Sequence, residues 1–127
     1  MPWPVVAAIV ACVFGGLLGL YAMINPRWAS RLVRLMPVEG KVEGKSEFRA
    51  TYGGLFLAGH AFAGWALLHG VEGHYAAGAL GACWLGTCAG RLISFALDKT
   101  ATGVNLFNAA VELAVGVALI LPIAMGV

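Results

Sequence analysis

The stretch GRLISFALDKTATGVNLFNAAVE, residues 90–112, consists of two apolar runs that meet at a short polar turn. Polar residues on both sides of this turn follow spacings of three and four, which place them on one face of a helix. They are Arg91, Ser94 and Asp98 before the turn, and Asn105, Asn108 and Glu112 after it. The stretch therefore predicts two antiparallel helices, each with a polar face, joined at residues 98–103.

The composition extends this prediction to a membrane. The 127 residues are 61% hydrophobic and 11% charged, whereas soluble domains have roughly 45–50% apolar and about 25% charged residues. A single domain of this length has too little interior to hide so much apolar surface from water. The excess is expected to face lipid, and the net charge of +2 gives no reason to expect nucleic acid as a partner.

Four apolar segments are each close to the ~20 residues that cross a hydrocarbon core of ~30 Å. They cover residues 3–24, 48–69, 75–97 and 104–124. Only helices can span a membrane in such short, closely linked segments. We therefore predict an all-α, polytopic membrane protein in which residues 1–127 form one domain, a four-transmembrane-helix bundle.

Residues 27–36 predict an additional short helix in the first loop. Arg27, Arg31 and Arg34 fall on one helical face, and the apolar residues of this stretch fall on the other. This pattern is typical of a helix that lies in the headgroup plane of a membrane. A topology anchor is the simpler interpretation, and a specific lipid or partner site is the alternative.

The positions of the basic residues predict the orientation. All eight lie in or beside the loop at 25–47, or near the end of the third segment. Because basic loops stay in the cytoplasm, we expect a multi-pass protein of the bacterial inner membrane with both termini on the outer side.

Arg91 and Glu112 are predicted to form an ion pair. At 1.5 Å per residue, each lies roughly 10–12 Å from the turn between the last two helices. A lone charge at membrane depth is expensive, and leaving one partner unpaired costs more than removing both. The pair is therefore expected either to fix the register of the helices or to serve a function.

A polar pocket in the inner leaflet is predicted around this pair. Glu47 and Arg49 would form its rim, Tyr52 would point inward, and Arg91 and Glu112 would form its floor. The candidate ligand-binding residues are Glu47, Arg49, Tyr52, Arg91, Ser94, Asp98, Asn108 and Glu112.

Some of the polar residues have structural interpretations. Asn105 is a candidate N-cap of the last helix. Ser94 is expected to bond to a carbonyl of its own helix. His60 is interpreted as a buried histidine with its hydrogen bonds satisfied, with a proton shuttle as the alternative. No metal site and no cofactor is predicted.

Two glycine pairs have the GxxxG spacing that lets helices approach closely. These are Gly15 with Gly19, and Gly86 with Gly90. They favour a tight bundle and are compatible with self-association.

The runs EFRATYGGLF (47–56) and GRLISFALD (90–98), with a single glutamate in the last segment, resemble the bacterial domain-of-unknown-function 4345 family. The similarity covers about Glu47 to Leu119, and the first segment matches only in character. It implies a short four-span inner-membrane protein and no particular activity. The residues that carry over are Glu47, Arg49, Tyr52, Gly53, Gly54, Gly90, Arg91, Ser94, Asp98 and Glu112.

The first functional hypothesis is a binding or accessory protein. Its partners would be membrane lipids or a lipophilic small molecule, and it could form a homo-oligomer or pack against a larger membrane complex. The alternative is an intramembrane isomerase or cyclase acting on a terpenoid- or sterol-like substrate. In that case Glu112 or Asp98 would be the catalytic acid, although Arg91 would favour the charged form of Glu112. Transport ranks last, since four spans leave little room for alternating access.

Overall fold

The computed structural model describes residues Met1 to Val127 and is all-α, without strands. The elements, in chain order, are α1 (Trp3–Ile24), α2 (Pro26–Val33), α3 (Glu43–Glu47), a π-helix (Phe48–Leu55), α4 (Phe56–Leu67), α5 (Glu72–Leu97) and α6 (Gly103–Ala124).

Three of these helices, α1, α5 and α6, are long and apolar enough to cross a membrane. Their bounds agree closely with the first, third and fourth predicted segments, although α5 begins at Glu72 rather than at residue 75. Their length and composition support a membrane protein.

The second predicted segment is not one regular α-helix. Residues Phe48–Leu55 form a π-helix, and α4 follows it from Phe56 to Leu67. The backbone stays right-handed helical at both junctions, with φ −63° and ψ −40° at Phe48, and φ −62° and ψ −49° at Phe56. The chain is therefore helical from Glu43 to Leu67, but i→i+5 bonding in the π-helix breaks the 3.6-residue spacing.

The short helix of the first loop is α2, and it is shorter than predicted. The side chain of Asn25 accepts a hydrogen bond from the N–H of Trp28 at 3.1 Å, which caps the first turn. Arg34 is left-handed, with φ 57°, and the N–H of Leu35 returns to the Ser30 carbonyl at 3.1 Å. This C-terminal closure ends α2 at Val33, so the prediction of a helix to residue 36 was wrong.

The chain divides into two compact units, residues 1–11 with 63–127 and residues 12–62. Within residues 12–62, Ala29 of α2 is packed in a buried cluster with Ala22 and Phe48. α2 is therefore held against its own unit by its apolar face, and Trp28 lies edge-on to Tyr21 with ring centroids 4.6 Å apart.

The first glycine pair allows a close approach in this same unit. A Cβ at Gly15 would lie 2.0 Å from Nε2 of His60, and a Cβ at Gly19 would lie 2.5 Å from the backbone nitrogen of Leu57. Neither position has space for a side chain, which confirms the packing role predicted for Gly15 and Gly19.

In the unit of residues 1–11 and 63–127, α5 and α6 form an antiparallel hairpin. A Cβ at Gly81 would lie 2.8 Å from the Gly116 carbonyl oxygen, and Leu119 is fully buried. Nothing lies within 4 Å of a Cβ built at Gly86 or Gly90. The prediction that Gly86 and Gly90 support close packing was wrong for this chain alone, because GxxxG spacing does not specify which helical face meets the neighbour.

Candidate functional site

The turn between α5 and α6 is bounded by two hydrogen bonds, one at the end of α5 and one at the start of α6. The N–H of Asp98 donates to the Ser94 carbonyl at 2.8 Å, which closes α5. The Thr102 hydroxyl accepts from the N–H of Asn105 at 3.3 Å and caps α6. The prediction that Asn105 caps the helix was therefore wrong, because Thr102 occupies that position and leaves the Asn105 side chain free for other contacts.

Arg91 and Glu112 form the predicted ion pair across the hairpin. Nε of Arg91 lies 3.1 Å from Oε1 and 3.0 Å from Oε2 of Glu112, and Nη2 lies 2.5 Å from Oε1. The Glu112 side chain is 7% exposed and the Arg91 side chain 25% exposed. A buried carboxylate is costly without such a partner, so the contacts from Arg91 offset the cost of burying Glu112.

Asn105 links this pair to the turn. Its Oδ1 accepts from Nη1 of Arg91 at 3.2 Å, and its Nδ2 donates to the Thr100 carbonyl at 2.9 Å. The guanidinium is therefore held from two sides by groups on α6, which fixes its plane.

Ser94 and Asp98 form a second set of contacts at the same turn. The Ser94 hydroxyl donates to Oδ2 of Asp98 at 2.8 Å and lies 2.9 Å from the Thr100 hydroxyl. The expected bond from Ser94 to a carbonyl of its own helix is replaced by these contacts. Asp98 is exposed, as its position at the end of α5 suggests. Thr100 connects the two sets, through its carbonyl to Asn105 and through its hydroxyl to Ser94.

Arg91 and Asn108 still have hydrogen-bonding groups without a partner in the chain. A guanidinium has five N–H donors, and the contacts to Glu112 and Asn105 use one on each nitrogen of Arg91. One N–H on Nη1 and one on Nη2 remain without a protein partner. Asn108, half-buried and on the same face as Glu112, also makes no side-chain hydrogen bond within the chain. We name Arg91, Asn105, Asn108 and Glu112 the hairpin cluster.

The other candidate residues lie in the unit of residues 12–62. Glu47 is exposed and accepts from the Thr51 hydroxyl at 3.3 Å. Arg49 donates from Nη1 to the Met23 carbonyl near the end of α1, which is a favourable position for a cation. Tyr52 stacks on Phe48 with ring centroids 5.2 Å apart. The structure thus gives Arg49 and Tyr52 packing roles, and their part in ligand binding stays a prediction.

His60 agrees with the structural interpretation. It is 2% exposed, its Nδ1 lies 2.6 Å from the Phe56 carbonyl, and its ring stacks on Phe56 with centroids 5.5 Å apart. This is a satisfied histidine in a buried position beside Gly15.

Sequence reasoning missed Thr100 and Thr102, which organise the turn. Threonine is a cap-forming residue type, but so is asparagine, and the sequence alone does not choose between Thr102 and Asn105. No comparable signal marks Thr100, because its role depends on the left-handed backbone of Lys99, with φ 56°.

The family comparison agrees with these observations. The family model described as a domain of unknown function, DUF4345, matches residues 5–122, which include α1 as well as the segments that carry the resemblance. No curated protein and no solved structure matches the chain. The match extends over nearly all of the helical chain, and we conclude that the protein belongs to the DUF4345 family.

Proposed function

We propose that this protein is a four-span protein of the bacterial inner membrane that binds a lipid or small amphiphile through the hairpin cluster. The proposal rests on the hydrogen bonding of the Arg91 guanidinium. Its guanidinium is fixed by Glu112 and Asn105, yet two N–H donors remain open. Polar groups placed inside an apolar segment at this cost are functional candidates by default.

The proposed fourth span is the π-helix together with α4. Residues Phe48–Leu55 and Phe56–Leu67 are helical without a break, and a stretch of about this length crosses a bilayer. π-helical turns concentrate at functional sites, and this one contains Arg49 and Tyr52.

The proposed orientation has both termini outside. The segment between α1 and the π-helix contains Arg27, Arg31, Arg34, Lys41 and Lys45, and Lys99 lies in the turn after α5. An excess of basic residues in these two loops favours the cytoplasmic side for both.

The chemistry of the proposed ligand follows from the groups of Arg91 and Asn108 that have no partner in the chain. Arg91 and Glu112 neutralise each other, so the cluster does not require a counterion. It offers donors from Arg91 and a donor and an acceptor from Asn108. A headgroup rich in oxygen acceptors, carried on an apolar chain that stays in the lipid, matches both the open edge and the apolar surroundings.

Binding is favoured over acid catalysis by the contacts of Glu112. Both of its carboxylate oxygens accept from Arg91, so they are occupied by the guanidinium rather than directed at a substrate. Asp98, the other candidate acid, is exposed and accepts from Ser94. A subunit role in a larger complex remains the second proposal, supported by the open helix surface at Gly86 and Gly90.

The test is native mass spectrometry of the full chain extracted gently from its own host's membranes. The wild type is expected to retain a stoichiometric adduct. The double variant Arg91→Gln/Glu112→Gln removes both charges without leaving one unpaired, so it is expected to fold and to lose the adduct.

Lys99→Gln is the matched control, because it removes a charge near the same turn without touching the hairpin cluster. It is expected to keep the adduct. A wild-type protein without an adduct, or a folded double variant that retains as many adducts as the wild type, would refute the binding proposal. A discrete larger assembly without the adduct would support the subunit role instead.

A further inference from the structure

A cleft of about 760 Å³ opens in the unit of residues 12–62, between α2 and the start of the π-helix. Four cationic residues line it, Arg27, Arg31, Arg34 and Lys45, and Phe48 contributes an aromatic wall. No carboxylate lines the cleft. We name this feature the basic cleft, and all of its residues are separate in sequence from the hairpin cluster.

Local structure brings these cations together. Arg27 and Arg31 are four residues apart and share one face of α2. The left-handed conformation of Arg34, with φ 57°, turns the chain at the end of that face. A Cβ at Gly44 would lie 2.5 Å from Cβ of Pro37, so the returning segment is packed closely on α3. Lys45, the next residue of α3, lines the cleft.

The four positive charges have no compensating partners in the chain. The only ion pair within 4.0 Å joins Arg91 to Glu112, so the cations of the basic cleft have no carboxylate partner. Like charges placed together repel, and such an arrangement attracts an anion. Arginine guanidinium groups in particular match the geometry of phosphate oxygens, with two parallel hydrogen bonds from each fork.

The surroundings of the basic cleft are apolar. Phe48 is 6% exposed and forms part of a buried cluster, whereas Met36, which also lines the cleft, is 90% exposed. Leu35 beside it is 54% exposed. Exposed apolar side chains next to a group of cations are the pattern of a surface that meets lipid headgroups and the upper part of their acyl chains.

We infer that the basic cleft is a binding site for a phosphate group, with the headgroup of an anionic phospholipid as the source that the apolar rim favours. A soluble phosphate ester offers the same oxyanion without an acyl chain. Clusters of basic residues beside a membrane-spanning helix attract anionic lipid in general. Binding at the basic cleft requires the residues that line it, rather than the charge of the loop as a whole.

The test uses the full chain, purified and delipidated in neutral detergent, and titrated by native mass spectrometry. The probes are phosphatidylglycerol and phosphatidylcholine with identical acyl chains, because both contain phosphate but only the first has a net negative charge. The wild type is expected to bind one phosphatidylglycerol in preference to phosphatidylcholine. Lys45→Gln and Arg31→Gln are each expected to weaken this binding about fivefold.

Lys41→Gln is the matched control for Lys45→Gln. Both lysines are exposed and lie in the same loop, but only Lys45 lines the basic cleft. Lys41→Gln is expected to bind phosphatidylglycerol as the wild type does. Equal losses in the two lysine variants would mean diffuse attraction by the loop and would overturn the site, as would equal binding of the two lipids by the wild type.

Glycerol 1-phosphate distinguishes the two sources of phosphate. If it competes with phosphatidylglycerol only at much higher concentration, the acyl chain contributes and the lipid is the ligand. If it binds as tightly as the lipid and Lys45→Gln weakens it, the phosphate site stands and its ligand is soluble. Circular dichroism and a single elution peak verify that each variant is folded before its binding is compared.

Discussion

Nε of Arg91 contacts both carboxylate oxygens of Glu112, at 3.1 Å and 3.0 Å, and so joins α5 to α6. The two partners differ in burial, since the Glu112 side chain is 7% exposed and the Arg91 side chain 25% exposed. Removing either partner therefore has a different consequence. Without Arg91, a charge is left in the interior, whereas without Glu112 the guanidinium can still turn toward its open edge.

Arg91→Gln is expected to destabilise the protein more than Glu112→Gln. Breaking a buried pair by removing one partner costs about 3–5 kcal/mol, and the larger cost falls on the variant that leaves the more buried charge. Thermal unfolding of both variants in the same detergent, followed by circular dichroism, measures the difference. The double variant Arg91→Gln/Glu112→Gln should recover much of the loss, and additive losses in the double variant would contradict the pairing argument.

Gly81→Ala is expected to destabilise the α5–α6 hairpin. Its Cβ would lie 2.8 Å from the Gly116 carbonyl oxygen, a backbone atom that cannot rotate away. Overpacking of this kind costs about 1–3 kcal/mol. Gly86→Ala on the same helix is the control, since nothing lies within 4 Å of a Cβ there, and alanine should be neutral or slightly stabilising. A Gly86→Ala variant with the lower unfolding temperature of the two would show that the hairpin packs on its other face.

Gly15→Ala is expected to disturb the buried His60. The new methyl group would lie 2.0 Å from Nε2 of a ring that is 2% exposed and whose Nδ1 lies 2.6 Å from the Phe56 carbonyl. Gly16→Ala is the neighbouring control, because the nearest atom to its Cβ, the His60 Cβ, is 3.7 Å away. The midpoint of thermal unfolding should fall for Gly15→Ala, with a loss of about 1–3 kcal/mol, and stay near the wild-type value for Gly16→Ala. Equal midpoints would mean that α1 does not approach His60 in the membrane.

The orientation can be measured with single cysteines in a variant that lacks Cys12, Cys83 and Cys88. Ser46→Cys lies in the basic loop and Val71→Cys lies between α4 and α5, and both positions are exposed. If the basic loop is cytoplasmic, a membrane-impermeant maleimide added to intact cells should label Val71→Cys and leave Ser46→Cys unlabelled until the membrane is opened. The reverse pattern would place both termini inside.

The sequence predicted the contacts that depend on spacing alone. Arg91 and Glu112 could be paired because each lies a similar number of residues from one turn, and helix geometry converts that count into depth. Asn105 could not be assigned from spacing, because Thr102 and Asn105 are both cap-forming residue types near the same helix start. Only the backbone at Thr102, with φ −83° and ψ 161°, identifies the cap.

Other features escaped prediction because they depend on tertiary contacts. The GxxxG pairs at Gly15 and at Gly86 are equivalent as patterns, and only the position of the neighbouring helix separates a packed glycine from an open one. The predicted pocket, with Arg49 at its rim and Tyr52 pointing inward, assumed the alignment of a regular α-helix. The π-helix changes that alignment, and no pattern in FRATYGGL indicates one.

The π-helix also determines how this segment would respond to the deletion or insertion of a residue. A π-helical turn holds more residues than an α-helical turn, because each N–H reaches back five positions instead of four. Deleting one residue between Phe48 and Leu55 could therefore be absorbed by a return to α-helical bonding, without shifting the register of α4 against its neighbours. The same deletion in α5 would rotate every following side chain, including Arg91, away from its partners. Relatives of different length would then be expected to gain or lose residues at the π-helix and to keep α5 and α6 constant in length.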